Sequence, residues 1–366
     1  MMKVLYVSAK YGLHDYRFLK KLAEDYDVLF LHYSSNKNIP VEAGELKNLP
    51  VIARKPLVKS FPLASDLFYF KKLCRQFKPD IIHTGYVWQV GILPAMLNLH
   101  PHLSMVWGSD VLTEPDKSML KKMLVKKVMR TADHIQCDAE FVKKKIIDDY
   151  AVSPDKITVF PWGIDLASFY QRDQAECREK LKLDKNKFTI LFSRPLENVY
   201  DIPTLMNGLK IFCEGKDDVQ AVIAHDGSQK TFVLDFIKAN KLENKIKITG
   251  WINYADVPLL YSAADVFVST ALSDGTPLSL LEAMACGMGL VVTGIPSVKE
   301  WVSDENGFVI PTGNPGELSI ALNKYYSNRL LIKSHGARNV EIAKEKADWD
   351  KNYMKLREIY DKIASK

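Results

Sequence analysis

Cysteine is scarce and badly placed for cross-linking: Cys74, Cys137, Cys177, Cys213 and Cys286 are odd in number and never form a C-x-x-C. That excludes a disulfide framework and a structural zinc site, and predicts free thiols in a reducing, cytoplasmic compartment. Long apolar runs are missing too. Nothing approaches the ~20 residues of a membrane-spanning helix. Residues 2–8 are too short for a secretory leader and read as a buried strand. No G-x-G-x-x-G follows a strand, so the phosphate turn of a nicotinamide site is absent, and neither G-x-x-x-x-G-K-[ST] nor H-E-x-x-H occurs. Asp25-Tyr26-Asp27 is formally a D-x-D, yet it precedes a strand and reads as a turn. The expectation is a chemistry without metal ion or other cofactor. Low-complexity tracts and sequence repeats are absent as well.

What is present is an ordinary globular composition, 47% hydrophobic and 26% charged over 366 residues, enough for two cores at ~150 residues per domain. The net charge of +6 lies wholly in the first half: residues 1–165 carry 24 Lys+Arg against 18 Asp+Glu, and the remainder carries 26 of each. Strand-like runs at 4–8, 28–32, 81–83 and 104–107 alternate with helical patterns around Phe18 and Leu19, at 67–77 and at 88–99. Such βα alternation predicts an α/β fold with a parallel sheet covered on both faces. Ligands of these sheets gather at the carboxyl ends of the strands. Tyr11-Gly12-Leu13-His14, His83-Thr84-Gly85-Tyr86 and Gly108-Ser109-Asp110 then share one rim. Gly12 suits a loop that approaches a ligand closely. Asp110 can accept a proton from a hydroxyl or cap the segment that follows, and His14 and His83 are candidates for the same catalytic work or for touching the ligand.

Residues 117–130 set Met119, Leu120, Met123, Leu124, Val128 and Met129 at helical spacing, with Lys121, Lys122, Lys126, Lys127 and Arg130 opposite and no acidic residue. The apolar face is expected to pack on the sheet. The lysines, with Lys143-Lys144-Lys145, can draw the chain to an anionic membrane surface. No aromatic platform accompanies them, so no nucleic-acid partner is expected.

After a charged, loop-like segment at 166–187, strands recur at 188–192, 219–224, 245–249, 265–269 and 290–293. The most informative stretch is 269–287, which reads strand, loop, helix. Thr276 is the expected N-cap, Pro277 the first helical residue and Gly287 the stop. Asp274 stands in the loop and Glu282 eight residues on, inside the helix. A helix N-terminus behind a glycine-containing loop presents free backbone N–H groups to a phosphate, and a carboxylate can accept two hydroxyl hydrogen bonds from a ribose. Together they call for a nucleotide sugar.

The segment Asp274-Gly275-Thr276-Pro277-Leu278-Ser279-Leu280-Leu281-Glu282-Ala283-Met284-Ala285-Cys286-Gly287 resembles the signature of the family 4 retaining glycosyltransferases, E-G-F-G-x-x-x-x-E-A-M-A-x-G. Asp274 replaces the first glutamate. Arg194 resembles the arginine of the family's G-R-x-x-x-x-K-G element, whose lysine has no counterpart where Val199 and Tyr200 stand. Pro161-Trp162-Gly163-Ile164-Asp165 resembles the segment leaving the N-terminal domain, and Trp107-Gly108-Ser109-Asp110 an H-G-x-D element with tryptophan for histidine.

The resemblance implies a GT-B fold of two Rossmann-like domains facing a central cleft: an acceptor-side domain at 1–165, a nucleotide-sugar domain at 166–345 and a helix at 346–366 crossing back to the first. It implies a retaining, metal-independent hexosyl transfer from a nucleotide-diphosphate sugar to a glycan or lipid-linked hydroxyl, at the inner membrane face, as in polysaccharide assembly. Glu282 would hold the ribose and Asp274 the sugar. Arg194 and the backbone of Gly275, Thr276, Pro277 and Leu278 would face the diphosphate, and Gly250 and Trp251 the base. An epimerase of the same fold and a catalytically weak nucleotide-sugar-binding subunit are the alternatives.

Overall fold

The computed structural model describes residues 1–33, 46, 49–54, 64–250, 252–253 and 256–365. Within them the chain divides into two compact units, Met1–Phe160 with Met354–Lys366, and Pro161–Tyr353.

The first unit carries strands β1 (Lys3–Ser8), β2 (Asp27–His32), β3 (Val51–Ala53), β4 (Ile81–Gly85), β5 (His102–Met105), β6 (His134–Cys137) and β7 (Ile157–Val159). All pair in parallel, in the order β3-β2-β1-β4-β5-β6-β7. β1 and β4 are buried almost throughout, as central strands covered on both faces must be. The chain order reverses direction between β1 and β4, which makes their carboxyl ends the switch point where doubly wound sheets bind ligands. Residues 354–366 complete this unit from the far end of the sequence. Tyr360, on the helix Trp349–Ala364, meets His83 Nδ1 at 2.6 Å and stacks edge-on against Tyr26.

The second unit repeats the plan with β8 (Phe188–Phe192), β9 (Val219–Ile223), β10 (Ile246–Ile248), β11 (Val266–Ser269), β12 (Gly289–Thr293) and β13 (Phe308–Ile310). Their order is β10-β9-β8-β11-β12-β13, again parallel, with the switch point between β8 and β11. Two apolar layers sandwich this sheet. One is built on Leu205, Leu209 and Phe212, the other on Leu281, Met284 and Leu290.

Three expectations need correction. The loop-like 166–187 contains the helix Gln174–Lys180, N-capped by Asp173, which accepts from Glu176 N at 2.8 Å. It escapes a hydrophobic reading because its buried positions are Cys177 and Arg178, the latter neutralised by Asp265 at 2.8 Å. The helix expected over 88–99 shrinks to Ile92–Leu97. The basic helix Met119–Thr131 buries only Val125, Val128 and Met129, while Met119, Leu120 and Met123 are 74%, 57% and 61% exposed. Fewer lysines of the basic cluster are unpaired than the sequence suggests. Glu114 pairs with Lys117 and Lys121, and Lys144 and Lys145 reach Asp148 and Asp149 at 2.6 and 2.8 Å. Among the described residues Lys122, Lys126 and Lys127 remain exposed without an ion pair.

Candidate active site

The loop after β11 is held from both sides before it reaches the helix Leu278–Ala285. Thr270 Oγ1 donates to Tyr200 O at 2.7 Å, Leu272 N to Val199 O at 2.8 Å, and Ser297 Oγ to Asp274 O at 2.9 Å. Trp301 Nε1 reaches Thr276 Oγ1 at 3.3 Å. Pro277 is the N-cap rather than the first helical residue, so the helix starts one residue later than expected. Pro277 also lacks an N–H and cannot donate to a phosphate. The amide of Gly275 is already directed at the Asp274 carboxylate.

Arg194, two residues beyond β8, sits at the centre of this loop. Its Nη1 donates to Ser279 Oγ and its Nη2 to Tyr200 OH, both at 2.8 Å, and it forms an ion pair with Asp274. The guanidinium also lies 4.3 Å from the centre of the Tyr200 ring. Tyr200, directly after the position of the family's lysine, thus positions the remaining cation. Burial raises the Asp274 carboxyl above its ordinary value, against the pull of Arg194 and of the Gly275 amide. Arg194 Nε is buried and without a hydrogen-bond partner among the described residues. A buried, unspent guanidinium donor at a switch point is the kind of group that a bound anion satisfies.

Glu282 lies on the second turn of the same helix. The Tyr261 hydroxyl is shared between Glu282 and Ser193 Oγ, the latter at 2.7 Å. Burial, and then the Glu282 charge, push that phenol well above its usual value, which keeps it a donor. The loop after β9 closes the group. Ser228 N donates to Glu197 at 2.9 Å, and a Cβ on Gly227 would stand 2.5 Å from Leu196 O, so only glycine fits there. Burial, with Arg194 nearby, lowers the His225 pKa from its ordinary value. Gly250 has φ +68 with open space around it, and Trp251 lies outside the described residues.

Arg194, 80 residues before Asp274, therefore joins Asp274 and Glu282 around one switch point. Sequence reasoning missed Tyr200, Ser279, Tyr261 and Ser193, which hold them. Ser279 and Tyr200 carried the only available signal, since both lie inside motifs already singled out.

The first-unit candidates separate into two groups. Gly12 and His14 sit on the rim, the His14 ring 6.1 Å from that of Trp107. Gly12 N–H is committed to Asp15 at 2.8 Å. His83 is fully buried, and burial lowers its pKa to about 3, so it is a neutral core hydrogen-bonding group. Asp110 is also fully buried; it accepts from Val87 N and Trp107 N at 3.0 Å each, and burial raises it to about 6. Its carboxylate is spent on knitting two loops together.

Two family models match the chain. "Glycosyl transferases group 1" covers residues 173–346 and "Glycosyl transferase 4-like" covers residues 3–139. The chain belongs to the group 1, family 4-like glycosyltransferases. Among relatives of this family, the alpha-monoglucosyldiacylglycerol synthase of Streptococcus pneumoniae is 26% identical over 69% of this chain, which spans 62% of that enzyme's length. The UDP-Gal:alpha-D-GlcNAc-diphosphoundecaprenol alpha-1,3-galactosyltransferase of Escherichia coli is 26% identical over 80% of this chain and 77% of its own. The fold matches Anabaena Alr3699/HepE, solved with UDP, at a TM-score of 0.83, with 18% identity, 99% of this chain and 100% of that one covered. The two Rossmann-like units are those of GT-B family members.

Proposed function

We propose that this glycosyltransferase moves a sugar, with retention, from a nucleotide-diphosphate sugar to a hydroxyl of a lipid or lipid-linked acceptor. The observation that carries the reading is Arg194, whose buried Nε is unspent beside Asp274 and the N-terminal turn of the helix bearing Glu282. A diphosphate leaving group needs a fixed, permanently charged fork, because charge develops on its bridging oxygen as the glycosidic bond breaks. Arg194 meets that need without reorganisation, since Ser279 and Tyr200 already hold it. Glu282 is assigned to the ribose hydroxyls and Asp274 to the donor sugar. The chemistry is assigned to these side chains and backbone amides, without a metal ion. The UDP-galactose in one relative's name and the UDP bound to a structural neighbour favour a uridine donor.

The lipid acceptors named for both relatives favour a membrane-face location. No helix among the described residues is long and apolar enough to cross a membrane. The helix Met119–Thr131 supplies the alternative, three exposed apolar side chains beside three unpaired lysines. Burying such a side chain contributes ~1.5–3 kcal/mol and each lysine near an anionic surface about 1 kcal/mol.

A thermal-shift screen against UDP-, GDP- and ADP-sugars tests the donor reading. Stabilisation by the UDP-sugars is expected, about 2.7 kcal/mol at a hundredfold excess over Kd, and is lost in Glu282→Gln. Identical responses from wild type and variant would remove the ribose assignment.

A further inference from the structure

A second cleft, of about 470 Å³, opens in the same unit at the other end of the sheet. Ala264 and Asp265, which lead into β11, and Cys286 and Gly287, which lead towards β12, line one side. The first turns of the helix Arg329–Lys346 line the other. The donor loops follow the carboxyl ends of β8 and β11, so the two sites lie at opposite ends of the strands of one sheet. The helix Leu278–Ala285 joins them, about 12 Å long at 1.5 Å per residue.

Three cations, Arg172, Arg329 and Lys333, face this space against the single carboxylate of Asp265. That carboxylate is already committed. It accepts from Arg178 at 2.8 Å, Thr189 N at 2.7 Å and Gln174 at 3.2 Å, and reaches Arg329 only at 3.7 Å. Arg172 Nη2 donates to Ser168 O at 2.6 Å, while its Nη1 is buried with no hydrogen-bond partner among the described residues. Lys333 makes no ion pair with the described residues. The Arg329 guanidinium lies over the Phe188 ring, 4.2 Å from its centre.

The placement is unfavourable for an empty site. Arg329 opens its helix and Lys333 follows one turn later on the same face, with no acidic residue in the first turn. Like charges at that spacing repel, and cations oppose the positive end of the helix dipole. An anion between them reverses both terms and offers an acceptor to Arg172 Nη1. The geometry points to a binding site for a phosphate-class oxyanion, with room for a sugar-sized phosphate monoester as well as free phosphate.

Calorimetric titration of the full chain with inorganic phosphate, and separately with glucose 6-phosphate, tests it. Arg194→Gln serves as the background that silences the donor site. One saturable site is expected to persist in Arg194→Gln and to weaken about tenfold in Lys333→Ala and in Arg329→Gln, each losing one charge-assisted contact. Arg172→Lys keeps the charge but loses the fork and is expected to weaken binding by a smaller factor. Tighter binding of glucose 6-phosphate than of phosphate assigns the monoester as ligand, and equal affinity assigns free phosphate. Lys333 is exposed, so its alanine variant retains the fold, which an unchanged melting curve without ligand verifies. No saturable binding at millimolar phosphate, or binding lost in Arg194→Gln and kept in Lys333→Ala, overturns the proposal.

Discussion

The pair Arg194–Asp274 makes a quantitative test of the donor site in the absence of donor. The side chains are 11% and 23% exposed, between surface pairs worth below ~1 kcal/mol and enclosed pairs whose disruption costs ~3–5 kcal/mol. Arg194→Gln is therefore expected to cost roughly 2–3 kcal/mol at pH 7, because it strands a buried carboxylate while also dropping the bonds to Ser279 and Tyr200. The pH dependence identifies the cause. Burial already lifts the Asp274 pKa above its unfolded value. A raised carboxyl contributes stability that is fully present below the unfolded pKa and is lost as pH rises through the folded one. Removing Arg194 raises the folded value further, so the variant's deficit relative to wild type is small near pH 4 and grows towards neutrality. In Arg194→Gln/Asp274→Asn the slope disappears, and the double-mutant cycle returns a coupling of about 2 kcal/mol at pH 7. Urea denaturation of the full chain between pH 4 and 8 measures each quantity. A deficit that is flat with pH, or a coupling within about 0.3 kcal/mol of zero, would refute the pairing and the pre-organised fork.

Four further outcomes are expected. Tyr200→Phe leaves the fold intact and lowers kcat more than KM, by about tenfold, since it loosens the fork on the leaving group; a change confined to KM would contradict this. Met119→Ser/Leu120→Ser/Met123→Ser abolishes co-sedimentation with anionic phosphatidylglycerol vesicles while leaving thermal stability within about 0.5 kcal/mol. Undiminished sedimentation removes that helix from the membrane reading. Asp110→Asn is expected to cost on the order of 1–3 kcal/mol while steady-state kinetics stay near wild type, because its carboxylate serves Val87 and Trp107 amides; a selective collapse of kcat would restore it as a base. Asp15, raised by burial to about 7, contributes stability below its unfolded pKa that is lost as pH rises through about 7. Asp15→Asn should flatten that part of the first unit's pH–stability curve, and an unchanged curve would contradict the assignment.

Local spacing made the fold class and the Asp274–Glu282 motif readable, since strand, loop and helix lie within a few turns of one another. Arg194 was readable as a cation at a strand end. Its partners were not, because Asp274 is 80 residues away and spacing does not reveal that two groups assigned to the donor first satisfy each other. The basic helix shows a different limit. Its period puts Met119, Leu120 and Met123 on the apolar face, yet nothing in a period says how far along that face the rest of the unit extends. The support ends near Val125. Asp110 illustrates a third: its letter fits a proton acceptor equally well as a buried acceptor of amides, and only the surrounding backbone decides which bonds it makes.

The discontinuous make-up of the first unit bears on synthesis. Residues 354–366 complete a unit whose strands all precede residue 161. With 161–353 made in between, at ~5–20 residues per second the nascent sheet waits roughly 10–40 s before Tyr360 can reach His83. The intervening unit carries its own sheet and both of its apolar layers, and needs none of those residues to close its core. The two units are thus completed almost together, although the first is begun much earlier, and the first is the part that a chaperone would meet open.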